Sequence, residues 1–410
     1  MTTTAITHAR VFDGERVREE NTVVLDGPVI TAVGGAVPEG AVVFDARGGT
    51  LLPGLFDAHT HTSEEALAFA LRFGVTTELE MQGALTRARR AHIERNDAVA
   101  DVRSAGFGIT PPGGHPSELF PEGKRPGGDG EPAPERSGGL VMPFATTPEQ
   151  AAGFIPRLVE SGSDYIKFMV DDGTVEGHPG LPCLDQATLN AGVAEARRHG
   201  MLTVAHALTL DAARMAVEAG IDGLVHVFMD RPHTDEIIRL IAESGAFVVP
   251  CVVLNASMMG ITGAALADDE RVAARLDDAW LTTLRGSFDR YPQGRLEDVL
   301  ATVAALHEAG VDLLAGSDAS VPVPFLGGVA HGASVHHEMR YLVRAGLTPS
   351  DALRAATATP ARRFSLEDRG RIAAGLRADL LLVDGDPTTD IHRTLDIRAI
   401  WRRGVHFGAK

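Results

Sequence analysis

The apolar residues in the middle of the chain fall into short runs that alternate with longer segments of helical periodicity. Short apolar runs bounded by turn residues are typical of buried strands, and apolar positions three and four residues apart indicate amphipathic helices. Eight runs are predicted to be strands: 51–58, 75–81, 102–109, 165–170, 202–206, 223–227, 247–253 and 311–315. Strands that alternate with helices favour parallel βα units, and eight units can close into a barrel.

Helices are predicted between these strands over 147–161, 185–199, 210–219 and 234–244. Several helical patterns end at glycines such as Gly200 and Gly245, as expected for a helix end that needs a positive φ. Two segments interrupt the alternation. Residues 108–139 are rich in glycine and proline and predict a long loop that covers a site or moves. Residues 255–310 predict additional helices, with Trp280 on an apolar face.

The sequence pattern at both ends of the chain predicts a small β-domain, because short apolar runs there are followed closely by turn residues. The run 23–25 precedes Asp26-Gly27-Pro28, and the run 380–383 precedes Asp384-Gly385-Asp386-Pro387. We therefore expect residues 1–50 and 365–410 to form one composite domain beside a barrel of residues 51–364. The predicted fold class is α/β.

Composition narrows the expected partners. The chain has 410 residues, 44% of them hydrophobic and 23% charged, with a formal net charge of −17. Such an acidic surface repels nucleic acids and anionic membranes, so we expect a small-molecule substrate and neither of those partners. Two cysteines are too few for a disulfide framework. With no long apolar run and no leader pattern, a cytoplasmic location is expected. The oligomeric state stays open, and a homo-oligomer is one option.

The segment Asp57-Ala58-His59-Thr60-His61 carries the strongest local chemistry. Residues two apart in a strand point the same way, so both imidazoles can reach one metal ion. Zinc and similar ions bind neutral imidazole nitrogen. Taken alone, the pair could equally be two surface histidines at a strand end.

Further metal-ligand residues end other predicted strands. His206 and His226 each close one, and Asp318 follows the eighth. In a barrel of parallel strands these ends meet at one rim, where active sites are built. Lys167 lies within an otherwise apolar strand, where a charged, unpaired amine is costly. It either pairs with a carboxylate or loses its proton and reacts with CO2 to form a carbamate, which can bridge two metals.

Together these motifs resemble the amidohydrolase superfamily of metal-dependent hydrolases, in its prolidase-like and imidazolonepropionase-like branch. The residues that carry the resemblance are Pro53 to His61, Lys167, His206, His226 and Gly316-Ser317-Asp318, followed by Ala345-Gly346-Leu347-Thr348-Pro349 and the turns up to Asp379. The resemblance covers nearly the whole chain. It implies a distorted (β/α)8 TIM-type barrel with a small β-sandwich built from both chain termini.

The resemblance also implies a binuclear metal centre. His59 and His61 match the ligands of the first strand, His206 and His226 those of the fifth and sixth, and Asp318 that of the eighth. Lys167 matches the carbamylated lysine that bridges the two ions. Two divalent ions are expected, with Zn2+ as the default and Mn2+ or Fe2+ suited to the same ligands.

The implied activity is cleavage of an amide-type C–N bond in an N-acyl amino acid, a dipeptide or a cyclic amide. Water activated by the metals would attack, and Asp318 would move its proton to the leaving nitrogen. His115, after the third strand, is a candidate to bind substrate or stabilise the oxyanion, although an ordinary loop histidine is as good a reading. Asn255 and His331 are weaker candidates for substrate contacts.

Two alternatives keep the same fold. A mononuclear deaminase or cyclic amidine hydrolase is disfavoured because no carboxylate follows His206 before Asp211, and because Lys167 is present. A non-catalytic structural member is disfavoured because all six ligand positions are retained.

Overall fold

A computed structural model describes residues 3–119, 136–137 and 140–408 of the chain. Part of the predicted 108–139 loop therefore lies outside the described residues. The strands in the described part are β1 (Thr3–Thr7), β2 (Arg10–Val11), β3 (Val23–Asp26), β4 (Val29–Val33), β5 (Val42–Asp45), β6 (Thr50–Pro53), β7 (Leu55–Thr60), β8 (Val75–Glu80), β9 (Asp101–Ser104), β10 (Arg136–Ser137), β11 (Leu140–Val141), β12 (Ile166–Met169), β13 (Thr203–His206), β14 (Gly223–Val225), β15 (Phe247–Val249), β16 (Leu380–Val383), β17 (Ile397–Arg402) and β18 (Val405–Gly408).

Helices follow most of the inner strands. They are α1 (Glu64–Arg72), α2 (Arg87–Glu94), α3 (Pro148–Ser161), α4 (Gln186–Arg198), α5 (Leu210–Glu218), α6 (Asp235–Ser244), α7 (Val252–Met258), α8 (Ala264–Ala267), α9 (Glu270–Ala273), α10 (Asp278–Arg285), α11 (Leu296–Glu308), α12 (Ala333–Arg344), α13 (Pro349–Ala355) and α14 (Ala358–Arg363), with 3-10 helices at Ser117–Leu119, Pro324–Leu326 and Ile391–Leu395. Among the residues described, no helix is long and apolar enough to cross a membrane.

The inner strands form two parallel sheets, β7-β8-β9 and β12-β13-β14-β15. Isolated backbone bridges connect their edges, including Ile109 with Phe168 and Val248 with Leu313. The predicted eighth strand, 311–315, is extended chain held by such single bridges rather than a regular strand, and Ala319 bridges back to Thr60. The described residues thus form no continuous closed sheet, but the carboxyl ends of all the inner segments face one side.

The predicted helices are confirmed, and their ends have clear physical causes. α3 begins after Thr147, whose side chain accepts a hydrogen bond from the amide of Gln150, and ends at Gly162 in the left-handed region. α6 begins after Thr234 and ends at Gly245, again left-handed. Such caps satisfy backbone groups that a helix end leaves unpaired. The additional helices predicted between residues 255 and 310 are also present, with Trp280 buried on α10.

Several strand predictions were wrong in detail. The run 102–109 is a strand only at its start, in β9, and Ile109 makes a single bridge to Phe168. The run 51–58 is divided at Gly54, where a side chain would collide with Thr76, so β6 leaves the barrel strands and pairs with β16 and β2. The run 247–253 ends as a strand at Val249, and Val252 begins α7. A short apolar run alone does not distinguish a buried strand from the first turn of a buried helix.

Strands from both chain ends form two further sheets, in the orders β4-β3-β1-β5 and β18-β17-β16-β6-β2. These sheets share a core of their own, which joins residues far apart in sequence such as Ile6, Leu25, Leu382 and Trp401. The second sheet therefore brings the two termini together. The division of the chain at residues 50 and 365 stays a prediction.

Candidate metal centre

Two histidines at the end of β7 face one carboxylate from the eighth segment. His59 Nε2 lies 3.1 Å and His61 Nε2 3.0 Å from the same oxygen, Oδ1 of Asp318. The other ring nitrogen of His61 lies 2.8 Å from the carbonyl oxygen of Gln82, to which it donates. Nδ1 of His59 lies 3.6 Å from Sγ of Cys251. Both histidines thus keep Nε2 turned towards Asp318.

The backbone holds Asp318 in this position. Its amide donates to the carbonyl of His59 over 2.8 Å, and its φ of 58° lies in the left-handed region, which is uncommon for a residue other than glycine. The preceding Ser317 donates from its amide and hydroxyl to the buried carboxylate of Asp57, over 2.9 and 2.5 Å. Burial, with the nearby charge of Glu78, raises the pKa of Asp57 to about 7. Asp57 therefore fastens the turn that carries Asp318 to β7.

Lys167 lies on β12 with its side chain fully enclosed. Its Nζ is buried without a hydrogen-bond partner, and no ion pair to it is found in the described part of the chain. Burial lowers its pKa to about 8, against the opposing charge of Asp318. Of the two outcomes open to this lysine, pairing with a carboxylate is thus not seen within hydrogen-bond distance.

His206 ends β13 and His226 directly follows β14, and the two rings lie 4.8 Å apart between centroids. The His226 ring also lies 4.6 Å from that of His59, so this pair adjoins the first pair. Nε2 of His206 lies 3.1 Å from Oδ2 of Asp171. Burial lowers the pKa of both His206 and His226 well below the usual value. Both are therefore neutral imidazoles, the form that binds metals.

The donor atoms of these residues fit a divalent cation. Within this group of residues, four buried polar atoms lack a hydrogen-bond partner: His59 Nε2, Lys167 Nζ, His226 Nδ1 and Asp318 Oδ1. The ligand atoms of His59, His61 and Asp318 all lie within 4.8 Å of one another. Buried polar groups are ordinarily paired, so several orphaned atoms that converge indicate a ligand between them. Imidazole nitrogen with carboxylate oxygen is a donor set that zinc and similar ions accept.

A second cluster adjoins this centre. The ring of His115 stacks on that of His206, with centroids 4.3 Å apart, and its Nδ1 lies 2.6 Å from Oε1 of Glu118. Ring nitrogens of His115 and His206 also lie within 4.8 Å of a carboxylate oxygen of Glu176. Burial alone would lower the pKa of His115, but the contact with Glu118 and the charges of Glu176 and Asp171 raise it to about 9.

The two remaining predicted substrate contacts lie in different settings. Nδ2 of Asn255 donates to the carbonyl of Val227 over 3.2 Å, next to His226, while its Oδ1 is buried without a partner. His331 is fully buried, with Nδ1 2.9 Å from Glu78 and Nε2 3.0 Å from the carbonyl of Ser320. Asn255 thus retains a free acceptor beside the centre, whereas both nitrogens of His331 have protein partners.

Comparison with known proteins assigns the chain to a family. The sequence model of one family, described as "Amidohydrolase family", matches residues 50–405. The chain belongs to the amidohydrolase family. An uncharacterized protein of Mycobacterium tuberculosis is 28% identical over 372 residues, which cover 89% of this chain and 85% of that protein. An imidazolonepropionase of Anaeromyxobacter sp. is 29% identical over 393 residues, which cover 84% of this chain and 77% of the enzyme.

A solved structure described as a Xaa-Pro dipeptidase with bound methionine in the active site superposes with a TM-score of 0.75 at 22% identity, covering 99% of this chain and 100% of that one. At this identity the likeness shows the fold, a TIM barrel with α/β content. The chain lies in the prolidase-like and imidazolonepropionase-like branch of the amidohydrolase family, as the motifs predicted. The family and the hydrolases among its relatives support hydrolysis of C–N bonds in general.

Several residues of this amidohydrolase site were not singled out from the sequence. Glu118, Asp171 and Glu176 lie in the loops after the third and fourth inner strands, and Cys251 follows β15. Their one available signal is a position just beyond a strand end. Many loop residues share that position, so only the folded arrangement distinguishes these four.

Proposed function

We propose that this chain is a metal-dependent amidohydrolase that cleaves an amide-type C–N bond in an N-acyl amino acid, a dipeptide or a cyclic amide. The observation that carries the proposal is the approach of His59 and His61 to one oxygen of Asp318 beside the orphaned amine of Lys167. These groups lie at or near the carboxyl ends of the inner strands, where TIM-barrel enzymes build their active sites, and all but the partly exposed His61 are largely buried.

Six side chains would hold two divalent cations, with Zn2+ as the default and Mn2+ or Fe2+ as alternatives. His59, His61 and Asp318 would hold the first ion, and His206 and His226 the second. Lys167, carbamylated by CO2, would bridge them. When bound, such ions acidify water to near-neutral pKa and polarise a carbonyl group.

Asp318 is the proposed proton carrier. Burial alone would raise its pKa, but the charges and contacts of His59 and His61 hold it well below the usual value, so the carboxylate is ionised. An ionised carboxylate beside the substrate can accept a proton from the attacking water and return it to the leaving nitrogen. Its fixed backbone keeps the accepting oxygen in one place.

His115 is the proposed donor to the substrate carbonyl oxygen. Its Nδ1–H donates to Glu118, which fixes the ring and leaves Nε2 for a ligand. The raised pKa of about 9 keeps the ring protonated near neutral pH, so Nε2 carries a hydrogen to donate. Asn255 and His331 stay predicted substrate contacts.

Three further features are part of the same proposal. These are a β-sandwich from residues 1–50 and 365–410, a cytoplasmic location, and a small molecule as the substrate. The two sheets and the shared core of the chain ends support the first of them.

The proposal is tested by turnover of a panel of N-acyl amino acids, dipeptides and cyclic amides. Wild-type protein is stripped with a chelator, dialysed, and reloaded with Zn2+ or Mn2+ in bicarbonate buffer. We expect amide hydrolysis that is lost on stripping, returns on reloading, and is absent from a Lys167→Ala variant. Absence of hydrolysis of every amide by fully loaded protein would contradict the proposal.

A further inference from the structure

The second cluster beside the metal centre, formed by His115, Glu118, Asp171 and Glu176, contains three acidic side chains and one imidazole. Glu118, Asp171 and Glu176 are each almost completely buried, and the imidazole of His115 lies among them. No lysine or arginine forms an ion pair with any of these three carboxylates in the residues that the structure describes. Buried carboxylates are costly unless each is paired, so the partner of each one matters.

Two of the three carboxylates already accept hydrogen bonds from other residues. Glu118 accepts from His115, and Asp171 accepts from His206 and, over 2.6 Å, from the amide of Gly173. These contacts orient the two stacked rings. They leave one carboxylate for which no side-chain hydrogen bond or ion pair is found within the described ranges, that of Glu176.

Glu176 is therefore a buried carboxylate at the edge of the metal centre that forms no side-chain hydrogen bond or ion pair with the described residues. It is 5% exposed, and one of its oxygens lies within 4.8 Å of ring nitrogens of both His115 and His206. A buried carboxylate without a donor is costly. A ligand that contributes a cationic N–H donor would remove this cost, and an ammonium group supplies both the charge and the hydrogen bond.

We infer that Glu176 binds a protonated amine of the substrate, so that the preferred substrates are amides that carry a free amino group close to the scissile carbonyl. The inference rests on the proposed function and adds to it a substrate class. His115 would hold the carbonyl oxygen, and Glu176, within 4.8 Å of His115, would hold the amine on the same side. A free dipeptide meets this description and an N-acylated amino acid does not.

Arg290 offers a cation for the carboxylate end of such a substrate. Arg290, on the loop before α11, packs against Gly177, the residue after Glu176. Its Nε is buried without a hydrogen-bond partner. A cation there suits a substrate carboxylate, so a zwitterionic dipeptide would give both Glu176 and Arg290 a partner of opposite charge.

The test compares pairs of substrates that differ only in the amine. Glycyl-L-leucine, glycyl-L-phenylalanine and glycyl-L-proline are each compared with their N-acetylated forms, on zinc-loaded wild type and on Glu176→Gln. We expect wild type to favour the free amine by at least about tenfold in kcat/KM, and Glu176→Gln to lose that preference. Glu176→Asp should restore part of it, and Glu160→Gln, on the exposed face of α3, should leave it intact.

Four outcomes would overturn the inference. Equal or better turnover of the acetylated forms, or turnover confined to amides without a basic nitrogen, contradicts it while the proposed hydrolase activity stands. Loss of a metal ion from Glu176→Gln, measured by elemental analysis, would show that Glu176 is a metal ligand instead. If loaded wild type hydrolyses no amide at all, the proposed function and the inference fail together.

Discussion

The amide of Asp318 donates a hydrogen bond to the carbonyl oxygen of His59 over 2.8 Å. This contact joins the eighth inner segment to the first strand at the level of the metal ligands. It places the carboxylate of Asp318 against the imidazole of His59, with Oδ1 3.1 Å from Nε2. The left-handed φ of Asp318 is the local cost of that arrangement.

Asp318→Asn separates the role of this residue as a ligand from its role as a proton carrier. Asparagine tolerates the left-handed conformation and keeps an oxygen ligand, so we expect metal to stay bound. It cannot accept a proton, so kcat/KM should fall by about 10²- to 10⁴-fold. The control is Asp289→Asn, the same change at another aspartate with positive φ, which should retain activity. An active Asp318→Asn enzyme would refute the proton-carrier role.

Cys251→Ala tests the contact between Cys251 and His59. If Nε2 of His59 binds a metal, its Nδ1 carries the hydrogen and Sγ is the acceptor 3.6 Å away. Removal of such a partner weakens metal binding, here by about tenfold. The measurement is a zinc competition titration against a fluorescent chelator, with Cys183→Ala as the matched control because that cysteine lies in a loop after β12. Equal affinities in both variants would show that the thiol plays no part.

Asp101→Asn tests a buried ion-pair network at the opposite ends of the strands. Asp101 is fully buried and pairs with Arg369 and, at 3.1 Å, with Arg377. Burial alone would raise its pKa, but these arginines hold it well below the usual value. Loss of the carboxylate removes the buried partner of Arg369 and leaves it only the half-exposed carboxylate of Asp368, so it should cost about 3 kcal/mol of unfolding free energy at pH 7.

The pH dependence of that difference has a fixed sign. A depressed pKa in the folded protein gives stabilisation that is complete above the unfolded value of about 4 and is lost as the pH falls further. Urea unfolding should therefore show the gap between wild type and Asp101→Asn shrinking below about pH 4. The exposed pair of Asp268 with Arg285 is the control, and Asp268→Asn should cost less than about 1 kcal/mol. A gap that stays constant with pH would contradict the assignment.

Gly54→Ala tests the division between β6 and β7. A Cβ at Gly54 would lie 2.2 Å from Oγ1 of Thr76, so one of the packed strands must shift. We expect a loss of about 1 to 3 kcal/mol in the unfolding free energy. Gly153→Ala, within α3 where a Cβ meets open space, should instead stabilise by up to about 1 kcal/mol. Thermal unfolding of both variants gives the comparison, and a harmless Gly54→Ala would mean that the junction is loosely packed.

The sequence predicted the elements whose signal is local. Helix α3 was expected from Thr147 and starts directly after it, because capping depends on neighbouring residues. The approach of His59 and His61 to Asp318 followed from strand-end geometry, which needs only the order of strands. The end of β15 was missed, since apolar residues continue from Val249 into α7 with no change in pattern.

The acidic cluster could not be predicted in the same way. Asp171 and Glu176 lie in a loop with no periodicity, and their meaning depends on which groups of other loops they contact. Glu176 became a candidate only because His115 and His206, 61 residues before it and 30 after it, fold against it. Long-range contacts of this kind have no signature in a single sequence.

Metal content per chain distinguishes a bridged two-ion centre from a single-ion site and from a protein without metal. Elemental analysis is performed on wild-type protein reloaded with Zn2+ in bicarbonate buffer, beside a Lys167→Ala variant treated identically. We expect close to two ions per chain in wild type and fewer in the variant, because Lys167 would bridge the pair. One ion per chain in both proteins would contradict the bridged centre, and none in wild type after full loading would contradict the metal-dependent hydrolase itself.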